Sequence, residues 1–116
     1  MKNLILLLFI ISTTLLSAQS KKITIELEVS GNCGNCKKRI QNAVDLKSVG
    51  HADWNSDTKK MKLTYRADKI ELETIKKAIL AIGHDVEGKL ASDEIYQALP
   101  ACCQYRGIAK QCEDDN

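Results

Sequence analysis

The sequence holds little of what large folds and nucleic-acid surfaces are made from. Its 116 residues include one proline, one phenylalanine, one tryptophan and three tyrosines. A chain this short closes one compact domain at most, which excludes most large enzyme folds. Charge of one sign is also missing: 17 Lys and Arg face 15 Asp and Glu, a formal charge of +2. No dense basic block interrupts that balance, so nucleic acid finds no electrostatic footprint. The longest wholly apolar run, Leu4 to Ile11, falls well short of the ~20 residues of a membrane-spanning helix. There is neither an internal repeat nor a low-complexity linker.

What is present begins with a leader pattern. Met1-Lys2-Asn3 is a short positive region, the apolar run follows, and Ser17-Ala18-Gln19-Ser20 supplies small residues before Lys21-Lys22. This predicts a signal peptide over 1–18, with cleavage after Ala18 or, on the better Ala-x-Ser pattern, after Ser20. No cysteine sits near the cut, which argues against a lipid-anchored form. The expectation is a periplasmic or secreted protein with no stable membrane insertion after cleavage. All five cysteines, Cys33, Cys36, Cys102, Cys103 and Cys112, follow the leader. Outside the cytosol thiols pair unless a metal or reductant holds them, so an odd number leaves at least one needing another partner.

Periodicity outlines the fold. Ile23, Ile25, Leu27 and Val29 alternate with polar residues, the period of a half-buried strand. After a glycine-rich turn, Cys36, Ile40, Ala43 and Val44 form a helical stripe, which starts the first helix at the second cysteine. Val49 to Trp54 and Met61 to Tyr65 flank the turn residues Asn55-Ser56-Asp57-Thr58, a hairpin pattern. Asp68 and Glu71 are spaced as a capping box before Leu72, Ile75, Ala78, Ile79 and Ile82, the apolar face of a helix closed by Gly83. His84 to Glu87 reads as a short last strand. The order βαββαβ is that of an α+β, ferredoxin-like sandwich: a four-stranded antiparallel sheet with both helices on one face. The domain spans 22–90. Residues 91–116 form a cysteine-bearing extension, with a short helix from about Ser92 to Leu99 stopped by Pro100.

Gly31-Asn32-Cys33-Gly34-Asn35-Cys36 is where chemistry concentrates. Two thiols three residues apart, on a turn entering a helix N-terminus, sit where free amides and the helix dipole favour thiolate. Converging thiolates suit a soft ion, above all Cu(I), then Ag(I) or Hg(II), whereas zinc asks for four ligands. The spacing also admits a thiol-disulfide redox pair, with Cys33 as nucleophile and Cys36 resolving, and a structural Cys33–Cys36 disulfide. A thioredoxin-type redox site needs a cis-proline opposite the disulfide, and the only proline is Pro100 in the tail. Lys37, Lys38 and Arg39 oppose the helix dipole, which suits charge compensation of a metal dithiolate, docking of an acidic partner, or an ordinary solvated face. In the tail a vicinal Cys102–Cys103 disulfide is strained, and Cys112 is free to pair with either. If the tail turns back over the sandwich, Cys102 or Cys103 raises the sulfur count at the loop to three or four, a set that also suits Zn(II).

From Ile23 to about Lys89 the chain resembles the heavy-metal-associated domain. That is the small module of copper chaperones, copper-transporting ATPase N-termini and the periplasmic mercury-binding protein. The resemblance rests on the strand, CxxC, helix register, on Ala52-Asp53-Trp54-Asn55 leading a hairpin and on Gly83 closing the second helix. It implies a non-enzymatic protein that binds a soft metal ion through Cys33 and Cys36 and hands it to a metal-transport or acceptor protein. It also puts His84 on a loop beside the cysteine loop, as a candidate third ligand or proton-responsive neighbour, with a solvated histidine as the alternative. Gly31 departs from the family, which often has methionine there, packed beneath the loop. The run Leu99-Pro100-x-Cys102-Cys103-x-Tyr105-Arg106 resembles an extension of exported bacterial members.

Overall fold

The structure, a computed structural model, describes residues 21–107; the leader and Cys112 lie outside them. Among the described residues the elements in order are β1 (Lys22–Glu28), α1 (Gly34–Ala43), β2 (Val49–Trp54), β3 (Lys60–Arg66), α2 (Leu72–Ala81), α3 (Asp93–Gln97) and a 3-10 turn, Ala101–Cys103. No helix among the described residues is long and apolar enough to cross a membrane.

Strand periodicity sets the pairing. Antiparallel β1 and β3 put Ile25 opposite Leu63 and Leu27 opposite Met61, so one face of the sheet is apolar. On the other side of β3, Ala52 pairs with Leu63 and Trp54 with Met61, with a bulge between Val49 and His51. The β2–β3 turn is tied by Asn55, whose Oδ1 accepts from the amides of Asp57 (2.8 Å) and Thr58 (3.1 Å). Leu27, Met61, Leu63 and Tyr65 meet Ile40 and Val44 of the first helical segment and Ile75 and Ile79 of α2 in one core.

Three expectations are corrected. Among the described residues the sheet has three strands in the order β1-β3-β2, not four. The segment expected to be the fourth strand pairs only at Val86, which bridges Val29. It stops because Glu87 and Gly88 both take positive φ, 48° and 76°, a tight turn that sends the chain back so that Val86 pairs with Lys89 instead. Second, α1 begins at Gly34, with Cys33 as its N-cap, two residues before the second cysteine. Glycine enters the first turn unhindered where the apolar stripe has not yet begun. Third, no capping box forms before α2: Glu71 is the N-cap and makes no side-chain cap bond, while Asp68 pairs with Arg66 at 3.0 Å.

Candidate metal site

The cysteine loop rests on an aromatic floor. Trp54, at the end of β2, is fully buried, and its Nε1 donates to the Val29 carbonyl at 2.9 Å. Its backbone amide donates to Gln41 Oε1 of α1 at 3.2 Å. A Cβ on Gly31 would meet the Trp54 ring at 2.9 and 3.0 Å and the Cβ of Cys36 at 3.2 Å. The indole therefore occupies the space under the loop, and glycine is the residue that leaves room for it.

Cys33 is half-buried at the helix entrance; Cys36, one turn in, is fully buried. Cys36, Cys102 and Cys103 are free thiols, whereas Cys33 is disulfide-bonded. A Cys33–Cys36 disulfide is thus not what the structure holds.

The tail turns back over the sandwich. Its 3-10 turn packs on α1, and Cys103 lies fully buried beside Cys36. The Cys102 and Cys103 sulfurs are 3.9 Å apart. Burial first, then the neighbouring Cys36 and Cys102 thiols, push the Cys103 thiol up to about 12. Both asparagines of the loop hold this turn: Asn32 Nδ2 donates to the Cys102 carbonyl at 3.1 Å and Asn35 Nδ2 approaches Cys102 Sγ at 3.9 Å. Beyond it, the Tyr105 hydroxyl donates to the Gly83 carbonyl and accepts from the Asp85 amide, both at 2.8 Å. Arg106 makes a fork onto Asp85, with Nη2–Oδ1 2.7 Å and Nε–Oδ2 3.2 Å, and reaches Asp93 at 3.1 Å and the Ala91 carbonyl at 2.9 Å. Burial works to raise the Asp85 carboxyl, but the Arg106 guanidinium and the Ala91 amide outweigh it and hold it below the ordinary carboxylate range. The Arg106 guanidinium also stacks 4.3 Å from the Tyr96 ring. Local sequence pattern assigns no role to Tyr105, Arg106, Asn32 or Asn35. Short-range spacing cannot show contacts made across 70 residues.

His84 is fully buried, which overturns the solvated alternative. Its Nδ1 is 2.7 Å from the Ser30 carbonyl, and its ring stacks on Tyr105 with centroids 5.4 Å apart. A carbonyl only accepts, so Nδ1 carries the proton and Nε2 is a bare acceptor, buried with no partner among the described residues. Burial foremost, with the Arg39 charge nearby, holds the imidazole pKa below its ordinary value despite the Ser30 bond. His51 is exposed on β2. Of the basic trio, Lys37 pairs with Asp53 at 3.0 Å in solvent, Lys38 is exposed, and Arg39 is half-buried with its Nε lacking a partner among the described residues. Among the described residues no three His, Cys, Asp or Glu side chains converge as a metal-holding group. The structure brings the sulfurs together in pairs and leaves His84 outside such a set.

The comparisons bear on this loop and its scaffold. The heavy-metal-associated domain model matches residues 21–85. No curated protein sequence matches the chain. Among solved structures, the CopZ metallochaperone is 30% identical, with a TM-score of 0.53, over 55% of this chain and 98% of its own. A putative copper-ion-binding protein from Bacillus anthracis str. Ames is 24% identical with a TM-score of 0.56, covering 59% of this chain and 99% of its own. Oxidized MerP from Ralstonia metallidurans CH34 is 22% identical with a TM-score of 0.53, over 56% and 93%. The last two show the shared fold alone. The matched span runs from the start of β1 past His84 and includes the Cys33–Cys36 loop, and the chain belongs to the heavy-metal-associated domain family.

Proposed function

We propose that this chain captures a soft metal ion, Cu(I) foremost, on Cys33 and Cys36 and passes it by thiolate exchange to a metal-transport or acceptor protein. One observation carries the reading: Cys33 caps α1 and Cys36 stands in its first turn, on a loop braced by Trp54, the first half-buried and the second fully buried. An ion enters at Cys33 and is retained at Cys36. Thiolates are soft donors that select Cu(I) over hard cations, and Ag(I) and Hg(II) share that preference. Because Cys33 is disulfide-bonded here, the loading form is the reduced one. Handover proceeds by a partner thiolate replacing Cys33 first, since that sulfur is the accessible one, and Lys38 offers an acidic partner an exposed cation beside the loop. Export through the leader over 1–18 places this exchange in the periplasm or outside the cell.

The test is Cu(I) titration of the reduced protein against a chromogenic Cu(I) chelator. The intact protein is expected to hold Cu(I) tightly, and Cys33→Ser/Cys36→Ser to lose it by at least a hundredfold while keeping the fold. Tight stoichiometric binding by that double variant overturns the proposal. His84 remains a candidate contributor through Nε2, and His84→Ala in the same titration reports it as a weaker affinity. The disulfide at Cys33 beside a free Cys36 favours one second reading, thiol-disulfide exchange with Cys33 as nucleophile. Metal content and free-thiol count of protein taken from the periplasm separate the two: bound metal with reduced thiols supports the first, metal-free disulfide the second.

A further inference from the structure

Cys36 follows the half-buried Cys33 by three residues in the loop. Cys103, brought in by the 3-10 turn that packs on α1, lies within hydrogen-bond reach of Cys36 and, like it, is fully buried and free. The placement is held from both sides. Asn32 and Asn35 clasp Cys102, and Tyr105 and Arg106 tie the next residues to Gly83, Asp85, Ala91 and Asp93. A single free cysteine packs in a core as a small hydrophobe, but Cys36 and Cys103 are two free thiols side by side, both shielded from water beneath the cysteine loop.

We propose that Cys36 and Cys103 form a second, inner two-sulfur site for the soft ion, sharing Cys36 with the outer Cys33–Cys36 pair. This rests on the reading of the loop as a soft-metal site. The ion arrives on Cys33 and Cys36. The Cys103 sulfur then forms a bond to the metal and releases its proton, while the bond to Cys33 breaks and Cys33 takes up a proton. Cys36 stays bound throughout, and the ion keeps its oxidation state. The exchange leaves the metal on two buried sulfurs under the 3-10 turn, so the tail acts as a removable wall. Two sulfurs suffice for this site, in keeping with the lack of any three-ligand group among the described residues. Handover outward is the same exchange in reverse.

The test uses the full reduced chain and Cu(I) with the same chelator. Cys33→Ser is expected to keep one tightly bound Cu(I) per chain, and Cys33→Ser/Cys103→Ser to lose it by at least a hundredfold. Cys33→Ser/Cys103→Ala repeats the second measurement with an apolar filler, in case serine unsettles the core. X-ray absorption of Cu(I)-loaded Cys33→Ser adds a readout independent of any change at Cys103, and two sulfurs around copper are expected. Loss of binding in Cys33→Ser alone, with the unaltered protein binding, overturns the inner site and leaves the outer one standing. Unchanged binding in both double variants, or a single sulfur in the absorption spectrum, also overturns it. Failure of the unaltered reduced protein to bind Cu(I) overturns both readings together.

Discussion

At Gly31 the room for a side chain is already taken by the Trp54 indole. Methionine, frequent at this position in the family, has no space while Trp54 stands there, so the two positions act as one unit supporting the loop. Gly31→Ala places a carbon 2.9 Å from a ring atom whose nitrogen is anchored to Val29. Over-packing of this kind costs about 1–3 kcal/mol. We expect a lower midpoint in urea, and a smaller drop when Gly31→Ala is made in a Trp54→Leu background, where the clash is absent; an unchanged midpoint in Gly31→Ala would show that the floor gives way. His84 sets a second residue-scale expectation. Its folded pKa is held below ordinary by burial, while the unfolded chain titrates near ~6.5. The unfolded state therefore binds more protons just below that pH, and stability present above it is lost as pH falls toward the folded value. His84→Phe keeps a ring against Tyr105 and removes the titration. The fall in urea midpoint from pH 7.5 to 5.5 should then be smaller in the variant than in the parent, and equal falls would exclude the imidazole as its source.

The elements differ in how they are secured. The strands pair by ladder bonds over seven residues of β1 and β3, whereas the tail is held by side chains converging on a few atoms. Arg106 is the central one, with bonds to two carboxylates and a carbonyl. Hydrogen bonds to charged groups contribute about 1.5–3 kcal/mol each, so Arg106→Gln should raise the population with the tail lifted about tenfold or more. The reaction rate of Cys36 and Cys103 with an aromatic disulfide reagent measures that population under fast opening and closing. No increase in rate would show that packing of Leu99 and Cys103, and not the arginine clasp, holds the tail. Leu99 contributes through Gly83, where φ is +96° and a Cβ would meet the leucine side chain at 3.0 Å. One glycine thus ends α2 and seats the tail.

At the scale of the whole molecule the family domain packs with the extension as far as residue 107. Residues 21–85 carry the family match, yet Cys36 of that domain is covered by Cys103 of the extension. Cutting the chain after Leu99 removes Cys103, Tyr105 and Arg106 together and uncovers Cys36 and His84. Two consequences are expected: a lower thermal midpoint, and faster transfer of bound Cu(I) to excess chelator. Stopped-flow mixing of loaded protein with chelator reads the second directly. Equal transfer rates in the cut and full chains would mean that the tail does not gate the metal.

Much of this was legible beforehand because it depends on local regularities. A period of two over Ile23–Val29 and a 3.6-residue stripe from Cys36 need only neighbouring residues to declare themselves, and so β1 and the course of α1 followed from the sequence. The thiol pair Cys33–Cys36 was likewise visible from spacing. What tertiary structure decided are relations between residues far apart in the chain. The fourth strand is reduced to one bridge because Glu87 and Gly88 turn back at once, a backbone choice that an alternating pattern does not encode. His84 became a buried acceptor only because Tyr105, 21 positions later, lies on it. Asn32, which any pattern assigns to the turn, is committed to a carbonyl 70 residues away. Cys103 became the neighbour of Cys36 by the same folding of the tail. Sequence determines which side chains a segment can bury; only the closed fold determines against what they are buried.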